Sequence, residues 1–126
     1  MSGFFEIYVQ TQFSAAHSLK DYPGDCVRVH GHNWLVEAYV KCKELDKIGI
    51  GIDFKDVKKA VKEVIQGLDH FNLNDLPAFK EVNPTSENIA KFLYQELGKK
   101  LNSNSVKVSK VKVSETPGAG ATYWEE

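Results

Sequence analysis

The stretch Cys26-Val27-Arg28-Val29-His30-Gly31-His32 places a thiol four residues ahead of two imidazoles that are separated by one glycine. Alternate side chains of an extended segment share a face, so His30 and His32 point the same way. Two imidazoles side by side suit a metal ion. The plainer alternative is a pair of surface or hydrogen-bonded histidines, and H-x-H spacing alone does not decide between them. A third histidine, His17, tips the balance, because it arrives in phase with the apolar face of a different strand.

Three neutral imidazoles with one coordination position left open make a catalytic zinc arrangement, whereas a structural zinc takes four protein ligands. The sequence holds no CxxC or HxxxH group to complete a closed site. Cys26 is near enough to His30 to serve as a fourth ligand. We read it as unligated, because a loop thiol beside a cation has its thiolate form favoured. That makes it a candidate base or nucleophile. Asp69 and His70 would supply a second proton carrier and a carboxylate to orient it, although adjacent Asp and His also occur in ordinary turns. Zinc would polarise hydroxyl or carbonyl oxygens of a substrate and acidify the neighbouring C–H. The reaction class that fits is proton abstraction next to a carbonyl, followed by elimination or carbon–carbon cleavage. Zinc-water hydrolysis needs no thiol, so Cys26 counts against it.

Positioning these groups falls first to two strands. Over residues 4–17, Phe5, Ile7, Val9, Phe13 and Ala15 occupy one parity and Glu6, Gln10, Gln12 and Ser14 the other, and the apolar parity runs on to His17. A second strand is expected from about Arg28 to Cys42. Its even parity carries His30, His32, Trp34, Val36, Ala38 and Val40, so its histidines also fall on the more apolar face. A helix is expected from Phe54 to about Leu68, N-capped by Asp53, with an apolar stripe of Phe54, Val57, Val61, Val64, Ile65 and Leu68. A second helix begins near Pro84-Thr85-Ser86-Glu87, with Thr85 or a neighbouring hydroxyl as cap and Ile89, Phe92, Leu93, Leu97 and Leu101 as its stripe.

A last strand covers about Val106–Glu115, ending an apolar face on the carboxylate of Glu115, and the tail from Gly120 adds a short edge strand. The order ββααββ implies an α+β domain over residues 1–126: an antiparallel sheet with two helices on one face and a polar second face. Exposed sheet edges imply pairing or closure by oligomerisation.

Composition removes other classes. Of 126 residues 42% are hydrophobic and 26% charged, with net charge −1, which is globular and gives no basic patch for nucleic acid. No apolar run approaches the roughly 20 residues of a membrane span. MSGFFEIYVQ lacks the pattern of a secretory leader. Cys26 and Cys42 form no disulfide framework, so reduced thiols and a cytoplasmic protein are expected.

Phe13-Ser14-Ala15-Ala16-His17, Cys26-x-x-x-His30-Gly31-His32, Asp53-Phe54, Leu68-Asp69-His70-x-x-Leu73-Asn74, Pro84-Thr85-Ser86-Glu87-Asn88 and Ser114-Glu115-Thr116 follow one another along nearly the whole chain. In this order they resemble the 6-pyruvoyl-tetrahydropterin synthase superfamily. With three residues between the cysteine and His-Gly-His, the chain looks most like the 6-carboxy-tetrahydropterin synthase branch, the animal pyruvoyl synthases having a longer insertion there. The resemblance implies a tunnelling fold, in which trimers close their strands into a barrel and stack as a homohexamer with active sites between subunits. It implies conversion of 7,8-dihydroneopterin triphosphate to 6-carboxy-5,6,7,8-tetrahydropterin with loss of acetaldehyde and triphosphate, on the path to queuosine.

Carried over by motif, His17, His30 and His32 would bind zinc, Cys26 would be the general base, and Asp69 with His70 the partner pair. Glu115 would anchor the pterin ring, with Thr85 and Ser86 lining its pocket. One position departs from the pattern: many relatives have Arg-Leu after the first histidine, where this chain has Ser18-Leu19. If that arginine helps hold phosphate, a nearby lysine such as Lys20 must substitute, or the substrate differs. The pyruvoyl-forming lyase is the nearest alternative. An aldolase-like cleavage of dihydroneopterin is disfavoured by Cys26, where such relatives have Glu. A non-catalytic zinc or pterin-binding module is disfavoured by the complete acid–base set.

Overall fold

The structure, a computed structural model, describes residues 3–126. Strand β1 (Phe5–His17) pairs with β2 (His30–Cys42) along their full lengths, from Phe5 opposite Cys42 to His17 opposite His30. The register sets Ala15 opposite His32, so all three histidines gather at one end of the pair. Strand β3 (Val106–Thr116) adds antiparallel to β2, and β4 (Ala119–Tyr123) to β3, giving the order β1-β2-β3-β4. Helices α1 (Phe54–Ile65) and α2 (Ser86–Leu101) lie between β2 and β3 in the chain. The expected ββααββ order and antiparallel sheet are both present.

Each helix begins at a side chain that satisfies an otherwise orphaned amide. The Asp53 carboxylate accepts from Lys55 N–H at 2.8 Å, and Thr85 Oγ1 accepts from Asn88 N–H at 3.1 Å. The apolar stripes then cover one face of the sheet. Val57, Val61, Ile89, Leu93 and Leu97 are buried against Val9, Phe13 and Ala15 of β1 and Trp34, Val36, Ala38 and Val40 of β2. His17 closes the same buried row, as its parity implied.

Several boundaries and two core residues differ from expectation. Phe54 is exposed because it stands at the first position of α1, short of the packed turns, and Phe5 is exposed at the first position of β1. α1 stops at Ile65 rather than Leu68. The next amides of Gln66 and Gly67 turn back to Lys62 and Val64, and Leu68 still reaches the core through this turn. β2 starts at His30, Arg28 and Val29 lying outside the ladder. The segment between the helices is not a plain connection: turns at Leu73–Asp75 and Pro77–Phe79 bury Leu73 and Phe79 completely or nearly so.

The sheet's other face carries the polar residues. Tyr8 stacks on Tyr39 with centroids 5.4 Å apart, Lys110 Nζ lies 4.6 Å from the Tyr39 ring, and Ser109 Oγ donates to Glu6 at 2.7 Å. β1 and β4 are the sheet's two edges, so the sheet is not closed within one chain. Among the described residues no helix is long and apolar enough to cross a membrane.

Candidate metal centre and active site

The ring of His17 is buried at the end of β1, and its Nδ1 lies 2.8 Å from the carbonyl oxygen of Pro84. A carbonyl only accepts, so Nδ1 carries the proton and Nε2 presents a lone pair. His30 repeats the arrangement, with its Nδ1 2.8 Å from the Arg28 carbonyl. The two Nε2 atoms therefore face each other as acceptors at 3.1 Å. The Nε2 of His32 is buried without a hydrogen-bond partner, and one ring nitrogen from each histidine falls within 4.8 Å of the others.

Confronted lone pairs repel unless an electrophile sits between them. Histidines fixed through Nδ1 to backbone carbonyls, with Nε2 converging, are the arrangement by which proteins orient metal ligands. Tetrahedral zinc with Zn–N near 2.05 Å spaces its ligands about 3.3 Å apart, close to the His17–His30 separation. The three residues fit a divalent metal ion.

Trp34 forms the floor of this cluster. Its ring is fully buried, meets His17 and His32 edge-on at 4.8 and 5.2 Å, and donates from Nε1 to the Ala15 carbonyl at 3.1 Å. Burial pushes the pKa of His17 below the ordinary imidazole value. The hydrogen bond to Pro84 opposes this only in part, while the neighbouring His30 adds to it. The ring is thus kept in the neutral form that binds metal.

Glu115, near the end of β3, reaches the cluster from the side. Its carboxylate oxygens lie 3.9 Å from His17 Nε2 and 3.6 Å from His32 Nε2, beyond hydrogen-bond distance. Cys26 stands in the turn Asp25–Val27, half-buried, as a free thiol outside the three-histidine group.

Asp69 and His70 are held at the outer edge of β1. Asp69 Oδ1 accepts from Ser14 N–H at 2.8 Å, while Oδ2 lies 2.9 Å from His70 Nδ1. His70 N–H donates to the Ser14 carbonyl, and Ala16 N–H to that of Phe71. Residues 69–72 thereby ride along the strand as a partial fifth neighbour, joined by a bridge between Ala16 and Asn72. The Ser14 amide, with help from His70, holds the Asp69 carboxyl below its usual range. His70 adopts φ of 65°, a left-handed conformation unusual for a β-carbon residue, and the bonds on either side hold it there.

The His70 side chain is 81% exposed. It shares an open cleft of about 470 Å³ with His32, Ser14 and Asn33. Among the described residues no hydrogen bond joins Cys26 to the Asp69–His70 pair. Thr85 and Ser86 follow directly on Pro84, and the Thr85 oxygen is engaged in capping α2.

The carbonyls of Pro84 and Arg28, which orient two of the histidines, escaped the reading of the sequence. Every residue has a carbonyl, so no residue type signals one. Trp34 was legible as core but not as the ring beneath the three histidines.

A family model described as 6-pyruvoyl tetrahydropterin synthase matches residues 6–126. A Bacillus subtilis protein named 6-carboxy-5,6,7,8-tetrahydropterin synthase is 34% identical over 126 residues, covering 94% of this chain and 84% of the relative. A Poecilia reticulata protein named 6-pyruvoyl tetrahydrobiopterin synthase is 37% identical over 103 residues, covering 71% and 70%. The solved Caenorhabditis elegans 6-pyruvoyl tetrahydropterin synthase superposes with a TM-score of 0.87 at 29% identity, over 99% of this chain and 98% of that one. With the fold, the ordered motifs and the histidine cluster in agreement, the chain belongs to the 6-pyruvoyl tetrahydropterin synthase family.

Proposed function

We propose that the chain is a zinc-dependent 6-carboxy-5,6,7,8-tetrahydropterin synthase acting in the cytoplasm on the path to queuosine. It converts 7,8-dihydroneopterin triphosphate to 6-carboxy-5,6,7,8-tetrahydropterin and releases acetaldehyde and triphosphate. The observation that carries this reading is the convergence of three imidazole acceptors in a chain that keeps a free, half-buried thiol outside the cluster. The short spacing from Cys26 to His30 and the Bacillus subtilis relative favour the carboxy-forming outcome.

His17, His30 and His32 would hold the zinc. When bound, it supplies Lewis-acid polarisation of the substrate side-chain oxygens. Cys26 takes the proton from the adjacent carbon. Asp69, ionised well into the acid range, holds the Nδ1 side of His70 and leaves Nε2 free to carry a second proton. Glu115 receives the amino and ring N–H groups of the pterin, an acceptor-only carboxylate meeting a row of donors. Thr85 and Ser86 line the pterin pocket, and Lys20 holds phosphate in place of the arginine that many relatives have after the first histidine.

The active unit is one domain per chain in a homohexamer, with the edges of β1 and β4 closing a barrel within each trimer. An exposed His70 at a strand edge suits an active site completed between subunits. Neither nucleic acid nor membrane is a partner.

The second reading is the pyruvoyl-forming lyase, favoured by the Poecilia reticulata relative and the Caenorhabditis elegans structure. Mass spectrometry of the products formed from the triphosphate substrate separates the two. Acetaldehyde with the 6-carboxy product is expected. A 6-pyruvoyl product would transfer the assignment to the second reading, and no turnover would leave a binding module.

A further inference from the structure

The three residues after His17 are held in a way that sheet pairing does not require. Asn74 Oδ1 accepts from Ser18 N–H at 2.8 Å, and its Nδ2 donates to the Ser18 carbonyl at 3.0 Å. Two residues on, Asn83 repeats the pattern: Oδ1 accepts from Lys20 N–H at 2.9 Å and Nδ2 donates to the Lys20 carbonyl at 3.1 Å. Between them Leu19 sends its N–H to the carbonyl of Cys26 at 2.8 Å.

Backbone groups of an extended chain alternate sides, and each carboxamide here does the work of a neighbouring strand by satisfying both groups of one residue. Segment Ser18–Lys20 is thus clasped by two asparagines while its middle residue bears the turn that carries Cys26.

Asn83 is also tied to the metal centre. The next residue, Pro84, supplies the carbonyl that fixes His17, and the Asn83 carbonyl is itself held by Asn88 Nδ2 at 2.8 Å. One short stretch therefore sets both the orientation of a metal ligand and the position of the chain leading to the thiol.

We propose that Asn74 and Asn83 are positioning residues that hold the Cys26 turn in place relative to the three-histidine centre by clasping Ser18 and Lys20. This rests on the reading of Cys26 as the base, but the clasp can be measured without turnover.

The test uses the full-length zinc-loaded protein and the variants Asn74→Ala, Asn83→Ala and Asn83→Asp. Hydrogen exchange of the peptide spanning 18–29 is followed by mass spectrometry, together with the pH profile of Cys26 alkylation by iodoacetamide, kcat and KM. Loss of two backbone bonds should speed exchange in this peptide by about tenfold. Cys26 alkylation should shift its pH profile. kcat should fall about tenfold with KM within about threefold, the signature of a group needed in the transition state rather than for binding. Zinc content should stay at the wild-type level.

Asn83→Asp keeps the acceptor for Lys20 N–H and loses the donor, so it should fall between wild type and Asn83→Ala. It also decides the matter if an alanine variant does not fold. Exchange and alkylation profiles equal to wild type in both alanine variants would overturn the proposal. So would faster exchange with kcat and KM unchanged. Absence of turnover in the wild type would defeat the lyase reading instead, and the clasp would then stand or fall on exchange and alkylation alone.

Discussion

His17 and His30 present their Nε2 atoms to each other at 3.1 Å, while the Nδ1 of each is committed to a backbone carbonyl, Pro84 for one and Arg28 for the other. Neither ring can turn its proton inward without giving up that bond. The pair is set as two acceptors suited to a cation, and His32 adds a third.

Replacing one member should therefore abolish stable metal binding. His30→Ala is expected to lose metal, and the wild type is expected to carry one zinc per chain. Elemental analysis after dialysis reads the outcome, and a fully metallated, active His30→Ala protein would remove the three-histidine assignment.

Cys26→Ala separates ligand from base. The thiol lies outside the histidine group, so the variant should keep wild-type zinc content and lose turnover by about 100-fold or more, in the range of a general base removed. Loss of zinc would instead make Cys26 a ligand.

Acid should destabilise the zinc-free fold partly through His17. The unfolded chain takes up this proton near pH 6.5, whereas the buried ring takes it up only at lower pH. Between the two values the unfolded state holds more protons, so the contribution is complete above about pH 6.5 and is lost as pH falls below it. Urea midpoints with a chelator present, from pH 8 to 5, should show a shallower acid slope for His17→Ala than for wild type. Equal slopes would contradict the assignment.

Trp34 couples the core to the histidine cluster. Trp34→Ala should cost about 3–5 kcal/mol of stability through the cavity left behind. It should also weaken zinc binding by about 10-fold or more, because the rings of His17 and His32 rest on the indole. Trp34→Phe keeps most of the packing and loses the bond to Ala15, at about 1–3 kcal/mol. Chemical denaturation and competition with a zinc chelator measure the two effects, and an unchanged zinc affinity in Trp34→Ala would show that the floor is not needed.

Much of the framework was legible because its causes are local. The period-two patterns of β1 and β2 determined that His17, His30 and His32 lie on covered faces, since strand parity depends only on position in the chain. The caps at Asp53 and Thr85 and the helical stripes are equally local, though Phe54 shows that a stripe does not say where the packed turns begin.

The tertiary structure alone decided the rest. Whereas His30 is turned by a carbonyl only two positions away, the bonds that fix His17 and Asp69 join residues far apart in sequence, 67 positions for His17 and Pro84 and 55 for Ser14 and Asp69. Half of their partners are backbone groups that every residue possesses. Residue types can announce a set of imidazoles suited to a metal and a thiol. Which carbonyl turns the His17 imidazole, which strand edge carries Asp69 and His70, and which asparagines clasp Ser18 and Lys20 depend on how the elements pack, because those contacts exist only once the chain has closed on itself.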